Sequence, residues 1–210
     1  MQLGRFFCIV TLGGILAACA TAPVQYYTLA TPSASQPVAL HTKAAPQYAI
    51  SVQPVGLPEQ VDRPQIVISD PAAAQVIPLN GSLWASPLSD EIRNALSNEL
   101  TRSLGVLDIA SGSPDTLPVW RVDMQVQRFE SLYNQHAVLE ATWRLTPVNQ
   151  ANQKTKICRG QTEVAVEPGM SAMVVGHQLA LRRLATIIAD QLSGRPVTKD
   201  VNVEMKGCTF

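Results

Sequence analysis

Excess charge of either sign is missing from this sequence: 16 basic residues stand against 16 acidic ones. The balance removes any electrostatic case for a nucleic-acid partner or for attraction to an anionic membrane surface. Histidines number three, His41, His136 and His177, and none stands at metal-ligand spacing from a cysteine, an acid or another histidine. Neither Cys-x-x-Cys nor His-Glu-x-x-His occurs, so no metal or other cofactor is expected, and each histidine reads as an ordinary surface or core residue. Gly-x-Ser-x-Gly and phosphate-cradling glycine loops are also absent. Asp90-Glu91, an acidic pair, falls where a helix begins and its dipole favours negative charge. No catalytic residue is assigned, and the chain reads as non-enzymatic. Aromatic residues make up 5%, but apolar residues reach 46%, which places the chain among globular proteins.

A long apolar run is missing too. Phe6 to Ala18 is 13 residues, about 20 Å as a helix, too short for a hydrocarbon core about 30 Å thick. With Arg5 ahead of it and small residues at its end, it has the build of a secretory signal. The signal closes on Leu16-Ala17-Ala18-Cys19, the pattern of a bacterial lipobox. Small residues suit the processing peptidase, and the Cys19 thiol takes the lipid. Each buried methylene contributes about 0.8 kcal/mol, and the two or three chains of such a cysteine make a lasting anchor. Residues 1–18 are thus expected to be cleaved, which leaves 192 residues, enough for one domain.

Of the four cysteines, Cys8 leaves with the signal and Cys19 is acylated. Cys158 and Cys208 remain as a pair in an oxidising compartment, and a disulfide is the favoured reading. The competing reading is one buried thiol and one on a loose tail. Residues 19–47 read as a lipidated tether carrying one short strand, Gln25-Tyr26-Tyr27-Thr28-Leu29. The stretch from Thr31 to Pro46 is rich in Ala, Ser, Pro and Thr. About 25 flexible residues average roughly 25–30 Å end to end.

The domain proper is expected over residues 48–194, with a tail at 195–210. Tyr48 to Val55, Gln65 to Ser69, Gln75 to Leu79 and Val106 to Ala110 read as short strands. Trp120, Val122, Met124 and Val126 alternate with polar residues, and Ala137, Leu139, Ala141, Trp143 and Leu145 alternate with Val138, Glu140, Thr142 and Arg144. Tyr133-Asn134-Gln135 makes the turn between them, and a third strand runs from about Thr155 to Val166. Together they predict an antiparallel meander with one wet face. Leu88, Ile92, Ala95, Leu96 and Leu100 form a helical stripe, with Ser86 as N-cap, Pro87 first in the helix, and Gly105 as the stop. A second helix covers roughly Ser171 to Leu192 and ends at Gly194. One sheet and two one-sided helices predict an α+β two-layer sandwich.

Leu83-Trp84, after the turn-like Asn80-Gly81, admits two readings: a staple over the helix start, or a patch facing a partner or lipid. The lipobox, Tyr26-Tyr27-Thr28-Leu29, Val52 to Pro58, Asp62-Arg63-Pro64-Gln65-Ile66-Val67 and Leu83-Trp84-Ala85-Ser86-Pro87-Leu88 occur in that order. This ordered set, from the anchor to about Leu192, resembles the PqiC/YmbA family, auxiliary lipoproteins of MCE-type transport systems. The resemblance implies a lipid-anchored outer-membrane component whose domain faces the periplasm. Its partner would be an MCE-domain protein, a tube or ring that carries lipid between membranes, and a homo-oligomer around that tube is compatible with the role. Ala20 after the cysteine is compatible with outer-membrane sorting. The rival readings are a binding module of another envelope assembly, such as lipopolysaccharide export, and a lipoprotein hydrolase.

Overall fold

Trp120, Val122, Met124 and Val126 are buried while Arg121 and Gln125 stand in solvent, so one strand already fixes an inner and an outer face. In the computed structural model, which describes residues 23–31, 48–70, 72–109, 116–197 and 199–209, this strand is the fifth of eight. In chain order the elements are β1 (Gln25–Tyr27), β2 (Ala49–Val52), β3 (Gln65–Asp70), β4 (Gln75–Trp84) and α1 (Leu88–Leu104). They continue with β5 (Val119–Leu132), β6 (His136–Val148), β7 (Lys156–Ala165), α2 (Met170–Ser193) and β8 (Val203–Thr209). The strands join in the order β1-β4-β3-β5-β6-β7-β8, with β2 also paired to β5.

The meander β5-β6-β7 is antiparallel throughout. A bulge between Val126 and Arg128 inserts one residue, so Phe129 rather than Arg128 takes the next inward position. The other edge of β5 is shared: β2 runs parallel to its start, Ala49↔Val119 to Val52↔Val122, and β3 parallel to its end, Ile68↔Ser131 and Ser69↔Leu132. Both helices cover the inner face. Leu88, Ile92, Leu96 and Leu100 of α1 meet Met173, Leu181, Leu184 and Ile188 of α2 and the inward residues of the sheet in one core. Each helix ends at a glycine with φ of 67°, Gly105 and Gly194, a left-handed stop that costs other residues energy. The outer face carries ion pairs, among them Arg121–Asp123, Arg128–Glu130 and Arg159–Glu140. The α+β sandwich with one wet face is the observed architecture.

Four local expectations change. Helix α1 starts one residue late: Pro87, with ψ of 133°, is its N-cap, and the Ser86 side chain does not cap it. Instead the Pro87 carbonyl accepts from the amides of Asp90 and Glu91. Asn80-Gly81 is no turn; it lies inside β4, at the irregularity where the register jumps between Gln65 and Ile66. Val106 to Ile109 forms only an isolated bridge, Ile50↔Asp108. The tail contributes a strand, β8, antiparallel to β7.

A further change concerns the tether. Strand β1 is part of the sheet, parallel to β4 with Gln25↔Ser82, Tyr26↔Leu83 and Tyr27↔Trp84. Chain leading from Cys19 to the fold is therefore six residues, not about 25. Cys19 itself, the signal and His41 lie outside the described residues.

Candidate functional site

Tyr27 to Ala30 lie against the body of the protein because donors on this segment find acceptors far away in sequence. Glu91, in the first turn of α1, is buried with its carboxylate aimed at them. Its Oε2 accepts from the Thr28 hydroxyl at 2.7 Å and from the Leu29 amide at 2.8 Å. Its Oε1 accepts from the Ser86 hydroxyl at 2.8 Å. The Tyr27 carbonyl accepts from the amide of Ala85, and the Thr28 carbonyl accepts from Gln178 on α2. The Pro64 carbonyl accepts from the Trp84 amide at 2.8 Å. Three of the ordered sequence motifs thus meet at one edge of the sheet, two of them clamped by the Glu91 carboxylate and the third joined through the Pro64 carbonyl. Leu29, next to the clamp, is in the core.

The Leu83-Trp84 pair divides. Trp84 is 4% exposed and meets Phe129 edge-on, ring centroids 6.0 Å apart. It is a core residue and presents no surface to a partner. Leu83 points the other way and is only partly covered, opposite Tyr26 on the solvent side of the edge.

A serine–histidine pair lies deeper. Ser131 and the His177 Nε2 are hydrogen-bonded at 2.8 Å, both 1% exposed. Phe129 stacks on the imidazole at 4.0 Å. Burial pushes the His177 pKa down to about 3, so the ring is neutral at physiological pH. Its Nδ1 has no hydrogen-bonding partner. A nucleophile–base distance is present, yet among the described residues no acid is hydrogen-bonded to the imidazole, and the hydroxyl is buried, whereas such chemistry needs an oriented base and an accessible nucleophile. The pair is a polar link between β5 and α2. Among the described residues, no three of His, Cys, Asp and Glu gather as a metal site would require.

Cys158 on β7 and Cys208 on β8 are paired positions with Cα atoms 4.1 Å apart, joined as a disulfide. Gln191 of α2 reaches this bridge: its Nε2 donates to the Cys158 sulfur at 3.2 Å while its Oε1 accepts from the Trp143 indole at 2.8 Å. An open groove of about 690 Å³ crosses the same strands, lined by Glu140, Arg159 and Lys206 among others. Its ion pair and open form suit water better than a lipid chain. A second cluster fastens the start of the sheet: Arg93 pairs with Asp108 at 2.6 Å and donates to the Val52 carbonyl, while Ser97 donates to Asp108.

Glu91, Asp108, Ser131 and Gln191 were not singled out as site residues. Apart from Ser86, five positions before Glu91, the partners named for them are 11 to 63 positions away, and side-chain chemistry at such distances leaves no local spacing to read.

No helix of the described residues is long and apolar enough to cross a membrane. Among solved structures, one reported as an uncharacterized protein is similar over 81% of this chain and 99% of its own, with 19% identity and a TM-score of 0.60. Protein XCC0632 from Xanthomonas campestris, of family DUF330, is similar over 72% of this chain and 92% of its own, with 19% identity and a TM-score of 0.53. At that identity they show a shared fold. No curated protein matches the chain in sequence. Residues 27–189, from the clamped edge strand almost to the end of α2, match one family throughout, and the chain belongs to it: the ABC-type transport auxiliary lipoprotein components.

Proposed function

We propose that this protein is anchored through lipid on Cys19 in the outer membrane and holds an MCE-type lipid-carrying tube or ring there, with no turnover of its own. The observation that carries the reading is the family match over residues 27–189, joined to the Glu91 clamp that fixes the anchor-proximal segment to the body. A holder must transmit position from its anchor to its partner. A six-residue leader ending in a clamped strand does so far better than a long flexible tether, because little chain entropy is left to blur it. Leu83, beside exposed Tyr26 on the outer face, is the member of the Leu83-Trp84 pair that a partner can touch. The Ser131–His177 pair offers nothing to a hydrolase reading because it is sealed in the core.

Genetic interaction tests the role. Deleting the gene is expected to raise sensitivity to membrane stress to the same degree as deleting the MCE-domain protein, with no further loss in the double deletion. A double deletion clearly worse than either single one would put the two proteins in separate pathways and end this assignment.

A further inference from the structure

From Pro71 to Ser89 the chain carries no charged residue, and the first part of this stretch is the tip of the β3–β4 hairpin. There Val76 is 52% exposed and Ile77 41%. Neighbouring side chains on a strand point to opposite faces, so these two residues put an exposed apolar side chain on each side of the tip. The hairpin is joined to the rest of the sheet at Ile68↔Ser131 and Ser69↔Leu132, so its tip projects at the end of the molecule where the β5–β6 turn displays Tyr133. Asp70, paired with Gln75 nearer the apex than Val76, is exposed, and its Oδ1 accepts from the amides of Ala72 and Ala73.

We infer that this hairpin tip seats in the surface of the bilayer that holds the lipid anchor. The inference rests on the reading of Cys19 as the anchor and adds to it an orientation and a contact. Gln25 lies six positions after Cys19, a span of at most about 22 Å however the chain runs. Gln25 is paired with Ser82, and β1 runs parallel to β4, so the chain arrives from the side of the hairpin tip. From Ser82 back to Val76 the strand covers about 20 Å. The bilayer is therefore within reach of the tip, while the start of β5 lies about 43 Å away at the opposite end. A second protein strand is a poorer occupant. Pro78 stands on this edge of β4, and a proline on an edge obstructs strand addition. A tip of alanine, valine and isoleucine with a tyrosine nearby has the chemistry of a shallow interfacial contact: its one carboxylate, on exposed Asp70, stays hydrated at headgroup level, where the aromatic also sits.

The test uses the full lipidated protein reconstituted in vesicles of phosphatidylethanolamine and phosphatidylglycerol. V76C and L107C variants each carry an environment-sensitive fluorophore; Leu107 is 73% exposed and sits beside Ile50 at the far end of the sheet. Nitroxide-bearing lipid is expected to quench the probe at position 76 about threefold or more as strongly as the probe at 107, as contact at shallow depth requires. Equal quenching at the two positions, or stronger quenching at 107, overturns the inference. Flotation of C19S with the same vesicles separates the two readings. If that variant floats as well as the wild type, the anchor reading fails, whereas the quenching ratio still decides the hairpin contact by itself.

Discussion

Three donors converge on one buried carboxylate at Glu91, two from the Thr28-Leu29 segment and one from Ser86. Replacement by alanine leaves the buried Leu29 amide without an acceptor, and hydrogen bonds to a charged group contribute about 1.5–3 kcal/mol each. Glu91→Ala is expected to cost about 2–4 kcal/mol in urea denaturation; a loss under about 0.5 kcal/mol would mean that the clamp does not hold the segment. His177 gives the fold a pH dependence. Its folded pKa is about 3 because burial disfavours the charged ring, against about 6.5 when unfolded. Below about pH 6.5 the unfolded chain takes up a proton that the folded chain refuses, so stability falls with pH by up to about 1.4 kcal/mol per unit until about pH 3. In denaturant titrations between about pH 6.5 and about pH 4, His177→Gln should flatten this slope. Parallel curves for the two proteins would show that the ring is not held neutral. Sequence reasoning placed the histidine in an ordinary core or surface role, but Ser131 as its partner, 46 positions away, has no signature in a strand pattern.

Strand β8 is held to β7 by backbone pairing and by the Cys158–Cys208 bridge. Opening a loop of 50 residues should cost about 4 kcal/mol in the chain-entropy model. Cys208→Ser is therefore expected to lower the unfolding free energy by roughly that amount, and alkylation of the wild type under denaturing, non-reducing conditions should leave both thiols unmodified. Quantitative alkylation of either cysteine would show that the bond does not form in the exported protein. The cysteine pair was visible from its compartment, but the strand that carries Cys208 was not. Nearly every residue of β8 is exposed, so neither face imposes the apolar alternation that made β5 and β6 readable. The helices were legible for the opposite reason: each buries a stripe and stops at a left-handed glycine. Asn80-Gly81 misled because turn chemistry also serves an irregularity within a strand, and β4 uses it there.

At the scale of the molecule, an eight-stranded sheet among the described residues, covered by two helices, places β1 at one edge, and the Thr28-Leu29 segment after it is tied to both helices through Glu91 and Gln178. The class of fold was readable because one-sided strands and one-sided helices have few ways to bury their apolar faces. The strand at Gln25 to Tyr27 was readable, but its place in the sheet, and so the short leader, was not, because β1 pairs with a strand more than 50 residues away. The family supplies a transport setting, and the fastening of the Thr28-Leu29 segment to both helices supports the holding role proposed within it. The direct measurement is cross-linking in intact envelopes with this protein as bait, followed by purification from the outer-membrane fraction and identification of what is bound. The account predicts recovery of an MCE-domain protein that is lost when Cys19 is replaced by serine. Recovery of lipopolysaccharide-export components in its place, with no MCE-domain protein, would contradict it.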